Sequence, residues 1–290
     1  MNSRQFHTPL RYPGGKGKLA EFMKLVIVQN QLLDGGYAEP YAGGAAIAFS
    51  LLFQDYVSEI HINDLNLSVY AFWSSVLYRS EALCKMIEEV DVTMEEWYRQ
   101  KDVQMHANKT SLLELGFSTF FLNRTNRSGI IKGGVIGGKK QDGAWKLDAR
   151  FKKDDLISRI RKIGRYRSRV NLYNLDAQDF VTKVVPSLSA KTLVYLDPPY
   201  YVKGEGLYQN FYRHADHVAI AKTIQANATH PWVVSYDAAP EIQTLYKKCQ
   251  HIAYGLNYSA QDRYEGAEFM FFSKELNIPD VDNPVGLKAA

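Results

Sequence analysis

Cysteine is scarce in this chain. Only Cys84 and Cys249 occur among 290 residues, far apart and without histidines at ligand spacing. That argues against a disulfide framework or a zinc site, and a reducing compartment is expected. No apolar stretch reaches the roughly 18 residues that a membrane helix needs. The opening "MNSRQFHTPLRYPGGK" has no signal-peptide core, so an intracellular, soluble protein is expected. Internal repeats and low-complexity linkers are missing too. Neither sign of charge dominates: 35 Lys and Arg against 31 Asp and Glu give +4, which identifies no partner. The distribution says more. Residues 150–169, "RFKKDDLISRIRKIGRYRSR", concentrate cations as a solvated helix face or a nucleic-acid contact would.

What is present is an ordinary globular composition, 46% hydrophobic and 23% charged, long enough for a large core. Helical periodicity at 18–33 precedes a short strand, a glycine turn and a helix at 35–53. A second strand, "EIHINDLN", spans 59–66, and a long helix is expected from Leu67 to Val90. Alternation of this kind predicts a parallel, doubly wound α/β sheet. It stops at about residue 70. A polar helical stretch (94–115) and a segment rich in glycine and cations (118–151) follow, the latter expected to form hairpins. From Val170 the strands return: "VNLYNLD", "TLVYLD", "PWVVSYD" and "EFMFFS". The expected organisation is a sheet domain (1–69 and 169–290) interrupted by an inserted module (70–168).

Chemistry concentrates at strand ends. "EPYAGGAAI" (39–47) is a glycine turn between strand and helix, without the full dinucleotide spacing. Asp64 ends the next strand about twenty residues on, where an acid accepts from ribose hydroxyls. Together they predict a nucleoside-containing cofactor. "RYPGGKGK" (11–18) lacks the spacing and the Ser/Thr of a phosphate loop, though Lys16 or Lys18 can meet a carboxylate or phosphate. Most distinctive is "LVYLDPPYY" (193–201). Prolines cannot continue a central strand, so Asp197, Pro198 and Pro199 fall just past its carboxyl end. The Asp197 carboxylate and the Pro198 carbonyl are two acceptors suited to the two hydrogens of an amino group on a planar ring. Tyr200 supplies a stacking face.

The motifs "YPGGK", "EPYAGGAAI", "NDLN" and "DPPY", in this order, resemble the Dam-type, alpha-group DNA adenine methyltransferases. The resemblance implies a Rossmann-like sheet with an inserted helical and hairpin target-recognition domain. It also implies S-adenosyl-L-methionine as cofactor, duplex DNA as partner, no metal, and a cognate restriction enzyme as a functional counterpart. A bacterial or phage-encoded cytoplasmic enzyme would fit it. By resemblance Tyr12 and Lys16 help hold the cofactor, with Tyr12 where relatives often place Trp. Glu39, Pro40, Tyr41 and Gly43 line its methionine end and Asp64 takes the ribose. Asp176 with Ala177 lies near its adenine, Asp179–Phe180 being the rival pair. Asp197, Pro198, Pro199 and Tyr200 form the catalytic motif, with Asp197 beside the methyl donor as well as the target.

In the insertion, "FLNRTNRSGIIK" (121–132) resembles the family's recognition segment, with Ser128 replacing an Asn and Lys132 an Arg. Asn123, Arg124, Asn126 and Arg127 are the expected base readers. Lys132, Lys139, Arg165 and Arg167 are the expected phosphate contacts. The resulting expectation is transfer of a methyl group to the 6-amino group of a flipped adenine, with Tyr201 and residues 202–214 closing over the pocket. An RNA methylase on the same core, a DNA-binding protein on an inactive core, and a phosphate-loop nucleotidase are the alternatives.

Overall fold

The computed structural model describes residues 7–11, 16–202, 212–227, 229–258 and 264–287. Tyr12 and most of the expected closing segment lie outside them. The chain divides into two compact units: a helical unit (Met1–Gly15 and Asn66–Asn174) and a sheet unit (Lys16–Leu65 and Leu175–Ala290).

Seven strands, β1 (Gly35–Glu39), β2 (Val57–Asn63), β3 (Val170–Tyr173), β4 (Leu193–Leu196), β5 (Trp232–Asp237), β6 (Gln250–Tyr258) and β7 (Tyr264–Phe272), form one sheet. Within the sheet unit the order is β2-β1-β4-β5-β7-β6, and β3 belongs to the helical unit. β2, β1, β4 and β5 are parallel, whereas β7 runs antiparallel to β5 and β6. Every residue of β1, β4 and β5 is buried, as expected for strands covered on both faces. This is the expected doubly wound α/β class. Strand β6 was not foreseen. Strand order reverses between β1 and β4, where Tyr37 faces Leu193 and Ala38 faces Val194. In open α/β sheets, ligands bind outside the carboxyl ends at such a point.

The sheet unit also carries α1 (Ala20–Gln29) and α2 (Ala46–Phe53). The helical unit contains α3 (Leu67–Tyr78), α4 (Ser80–Glu89), α5 (Met94–Met105), α6 (Leu112–Thr125) and α7 (Lys153–Arg165). The single helix expected over 67–90 is broken at Arg79, which leaves the helical region at φ −136°. The helical stretch expected over 94–115 also divides, because Ser111 and Glu114 form a reciprocal capping box that starts α6. The aromatic core includes Phe72 stacked on Phe120 at 6.2 Å and Phe151 edge-on to Phe120 at 5.4 Å.

The hairpins expected over 118–151 are a correction. Residues 118–125 continue α6, and beyond them one isolated antiparallel bridge joins Asn126 to Val135. The glycines instead turn the chain within loops: the Gln141 amide donates to the carbonyls of Ile136 and Gly138, satisfying groups a ladder would otherwise pair. Among the described residues no helix is long and apolar enough to cross a membrane.

Candidate active site

The glycine turn after β1 is built on left-handed backbone. Gly43 has φ 46° and Ala45 φ 47°, immediately before α2. A side chain at Gly43 would add strain to a turn that already holds one L-residue in that region. The Gly43 amide donates to Asp64 Oδ2 at 3.0 Å, so the acid after β2 fixes the turn after β1. Asn63, 1% exposed, ties a third segment to both. Its side-chain amide donates to the carbonyls of Pro40 and Leu175 and its Oδ1 accepts from the Leu175 amide, at 2.8–3.0 Å. Asp176 follows directly and caps the next helical turn through Gln178, with Ala177 buried behind it. The rival Asp179 is paired with Lys183 at 3.0 Å. Asn63 opens the motif "NDLN", but the motif reading gives it no role.

Glu39 closes β1, 4% exposed, with the Tyr37 hydroxyl donating to it at 3.0 Å. Burial raises its pKa to about 8, against the lowering effect of its hydrogen bonds, so the neutral acid dominates at pH 7. Tyr41, two residues on, shares a hydrogen bond with Tyr212 at 2.9 Å.

Asp197 stands past the end of β4, its side chain 21% exposed. Its Oδ1 accepts from the Ser235 hydroxyl at 2.7 Å and lies 3.4 Å from Lys16 Nζ. Burial raises its pKa to about 6 even though Lys16 opposes the shift, so it is mainly carboxylate at neutral pH. Lys16 is buried and donates to Glu268 at 2.6 Å and to the Tyr200 hydroxyl at 3.2 Å. Burial would lower the pKa of this ammonium, but the carboxylates of Asp197 and Glu268 outweigh it and raise the pKa instead. Glu268 is fully buried and also accepts from Tyr200 at 2.8 Å and Tyr254 at 2.7 Å. Asp237, at the end of β5, accepts the amides of Tyr201 and Val202 and so holds the loop after Pro199. Pro198 and Pro199 are buried.

Tyr200 is 2% exposed, and its hydroxyl accepts from Lys16 and donates to Glu268.

Three of the expected base readers are hydrogen-bonded within the helical unit. Asn123 and Asn126 are 2% and 0% exposed. Asn123 accepts the Arg11 amide and donates to the Arg11 and Gly129 carbonyls. Asn126 accepts from the Trp97 indole at 2.7 Å and donates to the carbonyls of Ile130 and Ile131. Arg124 donates to the Arg150 and Pro9 carbonyls, and burial together with nearby arginines pulls its pKa down to about 10. In this structure these groups hold a loop, Asn123 and Asn126 from buried positions and Arg124 from a half-buried one. Arg127, Lys132, Lys139, Arg165 and Arg167 are exposed. Ser128, where the family has Asn, has φ 55°, and a Cβ at Gly129 would collide with the Arg11 carbonyl. The departure therefore falls on a backbone position. Asn126→Ala should cost the protein about 1–3 kcal/mol by stranding buried partners, with base choice unchanged. Urea unfolding and a competition between DNA sequences check this, and native stability with altered base choice would contradict it.

The donor set suits an S-adenosyl-L-methionine molecule. A glycine turn, Asp64, Asp176 and Asp197 gather at neighbouring strand ends, matching a chain of amino acid, ribose and adenine with a reactive methyl.

The family model "D12 class N6 adenine-specific DNA methyltransferase" matches residues 12–259. Comparison with curated proteins finds no match. Among solved structures, protein PH1948 from Pyrococcus horikoshii aligns with TM-score 0.43 and 10% identity, covering 94% of this chain and 89% of its own. The rRNA methyltransferase aviRa from Streptomyces viridochromogenes aligns with TM-score 0.39 and 12% identity, covering 91% and 88%. Likeness at this level bears on neither substrate nor site. With its motifs, strand order and matched length taken together, the chain belongs to the D12 class of N6 adenine-specific DNA methyltransferases, whose methyl donor is S-adenosyl-L-methionine.

Proposed function

We propose that the protein methylates the 6-amino group of adenine within specific sites of duplex DNA, the helical unit choosing the site. The observation that carries this reading is Asp197, a carboxylate past the end of β4 with Oδ1 fixed by Ser235 and Lys16. Exposed cations of the helical unit, Arg127, Lys132, Lys139, Arg165 and Arg167, support a polyanionic partner.

An adenine inside a duplex is out of reach, so it must leave the stack at a cost of about a few kcal/mol. Asp197 then accepts one hydrogen of the 6-amino group and the Pro198 carbonyl the other. That draws the nitrogen lone pair out of conjugation and aims it. S-adenosyl-L-methionine supplies an electrophilic methyl group on a sulfonium sulfur. Lys16 remains charged behind Asp197 and keeps its carboxylate from being neutralised near pH 7. Glu39, Pro40, Tyr41 and Gly43 would hold the amino-acid end, Asp64 the ribose, and Asp176 with Ala177 the adenine.

Long-read mapping of methylated adenines in DNA from cells producing the protein tests the reading. Methylation confined to one short sequence is expected; adenine methylation confined to RNA would replace DNA as substrate. Asp64→Ala should weaken donor binding at least about tenfold, since a hydrogen bond to a charged group is worth about 1.5–3 kcal/mol. Asp64→Asn retains an acceptor for Gly43 and separates loss of the turn from loss of the charge. Calorimetry giving native affinity for both variants would move the ribose contact elsewhere.

A further inference from the structure

Two buried polar residues outside every motif bear on the same carboxylate, Ser235 directly and Glu268 through Lys16. Ser235, 0% exposed, lies on β5 one residue beyond Val234, which faces Leu196 across the sheet. Its hydroxyl has one hydrogen, and that hydrogen goes to Asp197 Oδ1 at 2.7 Å. The Tyr195 hydroxyl, 2.7 Å from Ser235 Oγ, must therefore donate to it. The result is a directed chain, Tyr195 to Ser235 to Asp197, in which each bond polarises the next. Glu268 lies on β7, opposite Asp237, and holds Lys16 with help from Tyr200 and Tyr254. Both contacts to Asp197, from Ser235 and from Lys16, fall on Oδ1.

We propose that Ser235 and Glu268 are positioning residues for methyl transfer: Ser235 directly, and Glu268 through Lys16, fix Oδ1 of Asp197 so that Oδ2 receives the target amine. This rests on the reading of Asp197 as the acceptor of that amine.

The two residues act on Asp197 with opposite sign. The Ser235 hydrogen bond favours the carboxylate, whereas the negative charge of Glu268 disfavours it. Other titratable groups face the same site: Lys16 from the turn before α1, Glu39 and Tyr37 from β1, Tyr195 from β4, Tyr236 from β5 and Tyr254 from β6. None of these residues is substituted in the two conservative variants Ser235→Ala and Glu268→Gln.

The test is a carbon-13 NMR titration of the Asp197 carboxyl in the full chain without donor, its signal assigned by loss in Asp197→Asn. The wild-type midpoint should lie at about 6. Ser235→Ala should move it up and Glu268→Gln should move it down. Methyl transfer from labelled S-adenosylmethionine to long unmethylated duplex DNA, with structured RNA in parallel, gives the second readout. Ser235→Ala should lower kcat about tenfold with KM for the polynucleotide unchanged, and the acid limb of each pH profile should follow its NMR midpoint. Tyr195→Phe should shift the midpoint in the direction of Ser235→Ala. Native midpoints and native kcat in both Ser235→Ala and Glu268→Gln, with Asp197→Asn inactive, would overturn the positioning roles alone. Turnover in Asp197→Asn, or a wild type that methylates neither polymer, would overturn the reading of Asp197 and this proposal with it.

Discussion

Asp197→Asn should abolish methyl transfer, lowering kcat by about a thousandfold or more while the protein stays folded. The amide either turns a donor toward the amine or loses the charge that aligns it, and general acid–base and electrostatic contributions of this kind are worth about 10²–10⁴ in rate. Asp197→Ala should fail equally. The residue lies past the end of β4 with its side chain 21% exposed, so it contributes little packing. Wild-type activity should be present above pH 6 and fall as pH drops through about 6, because burial raises the pKa of this carboxyl and protonation removes the acceptor. Circular dichroism paired with single-turnover rates across pH 4.5–8.5, an assay range of about four units around that pKa, checks both statements. A profile flat across pH 6, or an active Asp197→Asn, would remove Asp197 from the chemistry.

Glu268→Leu should cost the protein about 3–5 kcal/mol of stability. Three donors converge on this carboxylate: Lys16 at 2.6 Å, Tyr254 at 2.7 Å and Tyr200 at 2.8 Å. Leucine would fill the space but leave the buried Lys16 ammonium and the Tyr254 hydroxyl without that acceptor. Glu268→Gln keeps acceptor oxygen in place and should lose much less. Urea unfolding, fitted with a common slope for both variants, measures the difference. Equal stability of Glu268→Leu and Glu268→Gln would show that the network contributes shape rather than charge compensation.

The sequence made some of this legible and hid the rest for physical reasons. Asp197 could be placed because an apolar run ending in two prolines admits one geometry, a strand edge. The glycine turn and Asp64 were readable from their spacing, which follows the rise of one βαβ unit. Ser235 and Glu268 were not readable: a serine inside "VVSYD" and an acid beside "FMFF" look like strand residues until their partners are known. Those partners lie 38 residues away for Ser235 and 252 for Glu268. Asn123, Arg124 and Asn126 are ambiguous for the opposite reason. Their donor and acceptor patterns suit base edges, but buried backbone carbonyls at a helix end take the same groups, and composition cannot tell the two apart. The glycine-rich stretch misled, since Gln141 satisfies carbonyls that a hairpin ladder would have paired.

The most direct test of the central claim is the identity of the methylated base. Unmethylated duplex DNA and structured RNA, each incubated with the protein and methyl-labelled S-adenosylmethionine, would be digested to nucleosides and separated by chromatography with mass detection. Label in N6-methyl-2′-deoxyadenosine, lost with Asp197→Asn, is the predicted result. Label in cytosine or in ribonucleosides, or label that survives Asp197→Asn, would contradict it.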